Sequence, residues 1–175
     1  MQLKAVVRVG RTGLQWFGQE FEVALVGLRS KDAHMTKAYT GKCLCGQITY
    51  TAIGSPIVVA QCHCDECRRL SGTGHTVGAM FTSEVVSVSG KLSEFSYTSD
   101  NDSQVTKVFC ANCGSPIYGT NTRMPDHLTL SLGTMDDAIG LDIEVVIFER
   151  DRPHWDRLGE DIVSFATQPD WKPES

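Results

Sequence analysis

All seven cysteines of this 175-residue chain fall into three tight groups. Cys43-Leu44-Cys45-Gly46 is C-x-C-G, Cys62-His63-Cys64-Asp65-Glu66-Cys67 is C-x-C-x-x-C, and Cys110-Ala111-Asn112-Cys113-Gly114 is C-x-x-C-G. Cysteines serving as small apolar core residues would be scattered along strands at two-residue spacing. An odd number also cannot be consumed by disulfides alone. The N-terminus lacks the basic segment, unbroken apolar core and small-residue cleavage site of a secretory signal, so the expected compartment is the reducing cytoplasm. There, clustered cysteines are expected to be metal ligands rather than a disulfide framework.

The first and third groups each end in glycine. A turn that presents two thiolates to one metal aims its backbone amides at the sulfurs, and a glycine after the second cysteine lets the chain leave at positive φ without a Cβ clash. Two such turns make four thiolates, the closed tetrahedral set of a structural zinc site. Cys43, Cys45, Cys110 and Cys113 are therefore assigned to one structural zinc.

Cys62, Cys64 and Cys67 remain, with no fourth cysteine. Three protein ligands and one open position is the arrangement of a catalytic zinc. Three alternatives compete at this point: His63 closing the site, Asp65 or Glu66 closing it through oxygen, and a redox pair of Cys64 and Cys67. An open zinc with three thiolates carries a net charge of −1 and is suited to holding a further thiolate, whose pKa it lowers. Arg68 and Arg69 follow the third ligand directly. At least one is expected on a solvated helix face; the functional reading is that one offsets that charge or grips a substrate carboxylate.

The length suits one domain of about 150 residues plus an extension. Residues 126–175 hold 12 acids and 4 bases, residues 35–125 hold 6 and 7, and residues 1–34 hold 3 and 5. The formal charge of −5 argues against coating a nucleic-acid backbone, which needs clustered cations. No apolar run approaches the roughly 20 residues of a membrane span. Residues 1–34 contain no cysteine and are expected to be an extension outside the domain, with Met35 as a natural start; the alternative is that 5–9 and 21–28 are strands packing on it. From residue 41 onward the chain reads as short β segments bounded by Gly, Ser, Asn and Asp: 47–53, 57–61, 75–81, 85–88, 94–98, 104–109, 117–119, 128–132 and 143–148. The one helical piece is expected at 65–70, with a turn or so at 136–140 and 160–165. Many short strands and little helix predict a mainly β domain.

These residues resemble a known family. Tyr39-Thr40-Gly41-Lys42-Cys43-Leu44-Cys45-Gly46 is similar to the opening motif of the glutathione-dependent formaldehyde-activating family, which also contains centromere protein V. The stretch from Cys62 to Gly72 resembles its second motif, and Phe109 to Gly114 its third. Gly133-Thr134-Met135-Asp136-Asp137 and Arg152-Pro153-His154-Trp155 resemble weaker late signatures. The resemblance implies a β-tent-type zinc domain of several short antiparallel sheets over residues 35–171, with a loose C-terminus at 172–175. It implies two zinc ions, one structural and one catalytic, divided among the seven cysteines as above. It implies a carbon–sulfur lyase that condenses glutathione with formaldehyde, with a donor protonating the developing oxyanion; His63 and His75 are the nearest candidates. Arg68 and Arg69, from their position after Cys67, remain the candidate contacts to the bound thiol. The likeness departs at Val146, where relatives carry a histidine.

Three function classes follow. The first is a zinc-dependent lyase whose partners are a small-molecule thiol and a small electrophile. The second is a non-catalytic zinc module that binds a macromolecule, which the acidic C-terminal part disfavours for nucleic acid. The third is an enzyme of the same fold acting on a different thiol adduct.

Overall fold

The computed structural model describes residues 15–16, 19–20, 37–157, 159 and 162–169. The chain divides into two units, Met1–Ser30 and Lys31–Ser175. In the first, β1 (Gln15–Trp16) pairs antiparallel with β2 (Gln19–Glu20). Apart from that hairpin, the expected extension at 1–34 and the alternative strands at 5–9 and 21–28 lie outside the described residues, as does the expected loose end at 172–175.

The second unit is mainly β, as the segment pattern predicts. Its elements in chain order begin with β3 (Ala38–Lys42), β4 (Thr49–Ile53), β5 (Val58–Cys62), α1 (Asp65–Ser71), β6 (Thr76–Thr82) and β7 (Val86–Ser89). They continue with β8 (Leu92–Thr98), β9 (Gln104–Cys110), β10 (Pro116–Asn121), β11 (His127–Ser131), β12 (Val145–Ile147) and β13 (Val163–Ser164). One antiparallel sheet runs β3-β4-β7, and a second of eight strands runs β13-β12-β5-β6-β11-β10-β9-β8. In the larger sheet β12 lies parallel to both β5 and β13, while the other pairings are antiparallel.

Period-two alternation sorts the faces. On β4, Tyr50 and Ala52 are buried between outward-facing threonines; on β5, Val59 and Gln61 are buried. These inner faces join Tyr39, Ile48, Ala79, Phe81, Ile117 and Leu130 in one core between the two sheets. Tyr39 and Phe81 meet edge-on at 5.9 Å between ring centroids, a favoured aromatic geometry. The other face of the large sheet carries Val58, Met80, Thr129, Gly119 and Lys107 in one cross-strand row. The sheet curls so that β8 and β9 line the same groove as β5 and α1.

Two local expectations are corrected. Residues 136–140 form no helical turn; Asp137 Oδ1 accepts the Ile139 N–H and Gly140 turns the chain at φ +83°. Residues 163–164, expected within a helical turn, are strand β13, because pairing with Val145 and Val146 takes up their backbone groups. Local propensity yields there to a tertiary ladder. Strand β3 went unread because Gly41 and Lys42 interrupt its apolar signal. Among the described residues, no helix is long and apolar enough to cross a membrane.

Candidate metal centres

The two glycine-ended turns form as their sequences require. Gly46 and Gly114 both sit at φ +75°, and their N–H groups close the turns on Cys43 O at 3.0 Å and Cys110 O at 2.9 Å. The turns meet in space. Sulfurs of Cys43 and Cys45 lie 3.4 Å apart and those of Cys45 and Cys110 lie 3.8 Å apart, and all four Sγ atoms fall within 4.8 Å of one another. Ser115 joins the turns: its Oγ accepts the Leu44 N–H at 3.1 Å and lies 3.3 Å from Cys113 Sγ. Hydrogen bonds from the Ser115 hydroxyl and backbone hold Cys113 down to about 5. Cys43 is lowered as well: burial opposes its ionisation, but the Ile48 N–H, 3.2 Å from its sulfur, and neighbouring thiols outweigh that.

The second group is made by a strand turning into a helix. Cys62 ends β5, Cys64 caps α1 by accepting the Cys67 N–H at 3.4 Å, and Cys67 sits in the helix's first turn. The three sulfurs lie within 4.8 Å of one another, with 3.6 Å between Cys62 and Cys64. They titrate as a set. Hydrogen bonds from Cys62 and Cys64 pull Cys67 down to about 2, with the Lys107 charge assisting against burial. Its contact with Cys64, then that with Cys67 and burial, drive Cys62 upward. At Cys64 the Cys62 contact lowers the pKa, but the Cys67 contact, burial and the Cys67 charge raise it to about 12.

Both groups suit zinc. Four thiolates 2.3 Å from a central zinc stand about 3.8 Å apart at the corners of a tetrahedron, and the measured sulfur separations of 3.4 to 3.8 Å match that edge. Among the described residues no fourth His, Cys, Asp or Glu atom joins the trio at this spacing. Of the proposed fourth ligands, Glu66 lines the groove outside the trio's spacing, while Asp65 and His63 are engaged elsewhere. Asp65 gives one oxygen to Arg68 Nη2 at 2.6 Å and the other to Arg69 Nε at 2.5 Å.

His63 points to the opposite side of the strand and is fully buried. Gln61 Nε2 lies 3.1 Å from its Nε2, and its Nδ1 faces Gly74 O at 3.1 Å and Asp156 Oδ2 at 3.2 Å. Two acceptors at Nδ1 fix the proton there. His75 Nδ1 meets the same Asp156 oxygen at 2.7 Å. The three residues form a hydrogen-bonded latch in which both ring nitrogens of His63 and Nδ1 of His75 have partners. His63 is thereby removed as a proton donor to the trio.

The trio lines a groove of about 1630 Å³, larger than the ~300–1,000 Å³ of a usual small-molecule site. Arg68 lines it as well, whereas Arg69 is 77% exposed on the outer side of α1. Arg68 Nε is buried without an acceptor. Two further wall residues escaped sequence reading, Tyr97 on β8 and Lys107 on β9. Burial raises the Tyr97 pKa, and the charges of Cys67 and Cys64 raise it further, so its hydroxyl stays a donor. The available signal for Lys107 was a cation midway between Val105 and Phe109 in an alternating apolar run.

The family described as glutathione-dependent formaldehyde-activating enzyme matches residues 38–151. A Schizosaccharomyces pombe protein described as an uncharacterized lyase is 29% identical over 114 residues, covering 64% of this chain and 80% of that protein. A crystal structure of a Rhodobacter sphaeroides protein aligns with TM-score 0.45 and 15% identity, over 58% of this chain and 91% of that one. The chain belongs to the glutathione-dependent formaldehyde-activating enzyme family.

Proposed function

We propose that this chain is a zinc-dependent carbon–sulfur lyase resembling S-(hydroxymethyl)glutathione synthase. It adds a thiol such as glutathione to formaldehyde or a related small electrophile. The observation that carries the reading is the three-sulfur group, without a fourth protein ligand among the described residues, in the wall of an open groove. One zinc is held by Cys43, Cys45, Cys110 and Cys113 and ties the fold. A second is held by Cys62, Cys64 and Cys67, and when bound it supplies an electrophilic centre that keeps a thiol ionised near neutral pH.

The remaining work falls to side chains of the groove. Cys62, Cys64 and Cys67 fix where the reacting sulfur sits. The carbon–sulfur bond forms as the carbonyl π pair moves to oxygen, which takes up from solvent the equivalent of the proton that the thiol released on ionising, and the reverse reaction returns both. Tyr97 offers its hydroxyl to that oxygen as a hydrogen-bond donor, since burial and the nearby sulfurs keep it protonated. Such a donor stabilises charge that develops only during reaction. Arg68 and Arg69 each hold one oxygen of Asp65 and thereby fix the helix start that carries Cys67.

Exchange NMR with ¹³C-formaldehyde and glutathione tests the reading. The expected result is adduct formation and breakdown faster than without protein, with two zinc ions per chain. Cys64→Ser should lose the acceleration and one zinc while keeping the fold. A two-zinc protein that gives no acceleration with any small thiol overturns the lyase reading, and a single zinc per chain favours a non-catalytic zinc module.

A further inference from the structure

The groove contains a cation that makes no ion pair among the described residues. Arg68 pairs with Asp65 and Arg150 with Asp151, while Arg123 is exposed to solvent. Lys107 differs from all three. It is half-buried, lines the groove, and has no ion-pair partner among the described residues. Its neighbour across the ladder is Gly119. A Cβ on Gly119 would stand 3.3 Å from both Cδ and Nζ of Lys107. The lysine stem therefore lies across the bare backbone of β10, away from β8. The row continues inward through Thr129 and Met80, and Lys107 lines the same groove as Cys62, Cys64 and Cys67. Holding an ammonium half-buried with no ion pair among the described residues costs solvation, and a ligand anion recovers it.

We propose that Lys107 is a specificity-determining residue that binds a carboxylate of the incoming thiol, so that the groove selects small thiols bearing a negative charge beyond the sulfur. The inference rests on the reading of the trio as the thiol site. Lys107 acts on a part of the substrate that does not react, so its contribution appears in binding. A hydrogen bond from an ammonium to a carboxylate is stronger than a neutral one. The loss should fall on the carboxylate-bearing thiol alone.

The test is calorimetric titration of the zinc-loaded full chain with glutathione and with its diethyl ester, which has the same thiol and no carboxylate. Wild-type protein should bind glutathione about tenfold or more tightly than the diester, and added sodium chloride should weaken only the former. Lys107→Met should reduce glutathione to the affinity of the diester and leave the diester unchanged. Gly119→Val, which fills the space that the lysine stem occupies, should cause the same selective loss. Equal wild-type affinity for the two thiols overturns the proposal, as does an equal factor of loss for both in Lys107→Met. Failure of wild-type protein to bind either thiol overturns the reading of the trio as well, and so is distinct from a failure of Lys107 alone.

Discussion

Cys45 and Cys110 stand 65 positions apart in sequence, yet their sulfurs are 3.8 Å from each other. The turn before β4 is thus held against the end of β9, joining the small sheet to the large one. A structural zinc contributes roughly 10–16 kcal/mol in small domains, comparable to the whole ~5–15 kcal/mol stability of a domain. Cys110→Ser or exhaustive chelation should therefore abolish the cooperative melt seen by circular dichroism. Cys64→Ser should keep it, because the trio lies within a single strand-to-helix corner.

Phe148 is the aromatic residue that breaks a backbone rule. It sits at φ 56°, ψ 39°, immediately after β12, and lines the groove. A left-handed conformation costs a residue with a Cβ about 1–2 kcal/mol, which glycine avoids. Phe148→Ala loses the ring and keeps the strain, whereas Phe148→Gly loses the ring and releases it. The glycine variant should be the more stable of the two by about 1 kcal/mol in urea denaturation, the reverse of the usual order in a strand.

Asp156 accepts from two histidines on separate elements, His63 after β5 and His75 before β6. Removing it by Asp156→Ala should destabilise the protein by about 1–3 kcal/mol, the cost of leaving buried donors short of an acceptor. Burial is the largest influence on His63 and lowers its pKa, despite opposing help from Gly74 and Asp156. Below about pH 6.5 an unfolded histidine takes up a proton that folded His63 refuses, so stability falls as pH drops through that range. Imidazole NMR should show His63 still neutral at pH 6.5, where a free histidine is half protonated.

Much of this was legible from residue types and spacing. The grouping of Cys43, Cys45, Cys110 and Cys113 followed from two glycines that must take positive φ, and both do. Helix α1 was legible because Cys64, Asp65 and Glu66 make a helix start and Gly72 a stop. The long-range partners were not. Asp156 reaches His75 across 81 positions, and a lone aspartate among several late acids carries no local mark of that role. β13 is a strand only because β12 lies beside it, and a parallel pairing leaves no short-range turn signal. Lys107 did leave a trace, as a charge within an apolar alternation, but its meaning depends on the curl of the sheet and on Gly119.

The last expectation concerns the domain boundary. The division of contacts falls after Ser30, the family match begins at residue 38, and Met35 stands between them. Each of the seven cysteines lies after that methionine. We propose that residues 1–34 contribute nothing to the metal centres or the core. A chain beginning at Met35 should then bind the same number of zinc ions per molecule as the full chain, and its melting midpoint should agree within a few degrees. Independent domains tolerate such cuts because few contacts cross the boundary. A truncated chain that aggregates, or that melts more than about 10 °C lower, would place part of the hydrophobic stabilisation in the first 34 residues, since about 1 kcal/mol moves the midpoint of a domain this size by some 2–4 °C.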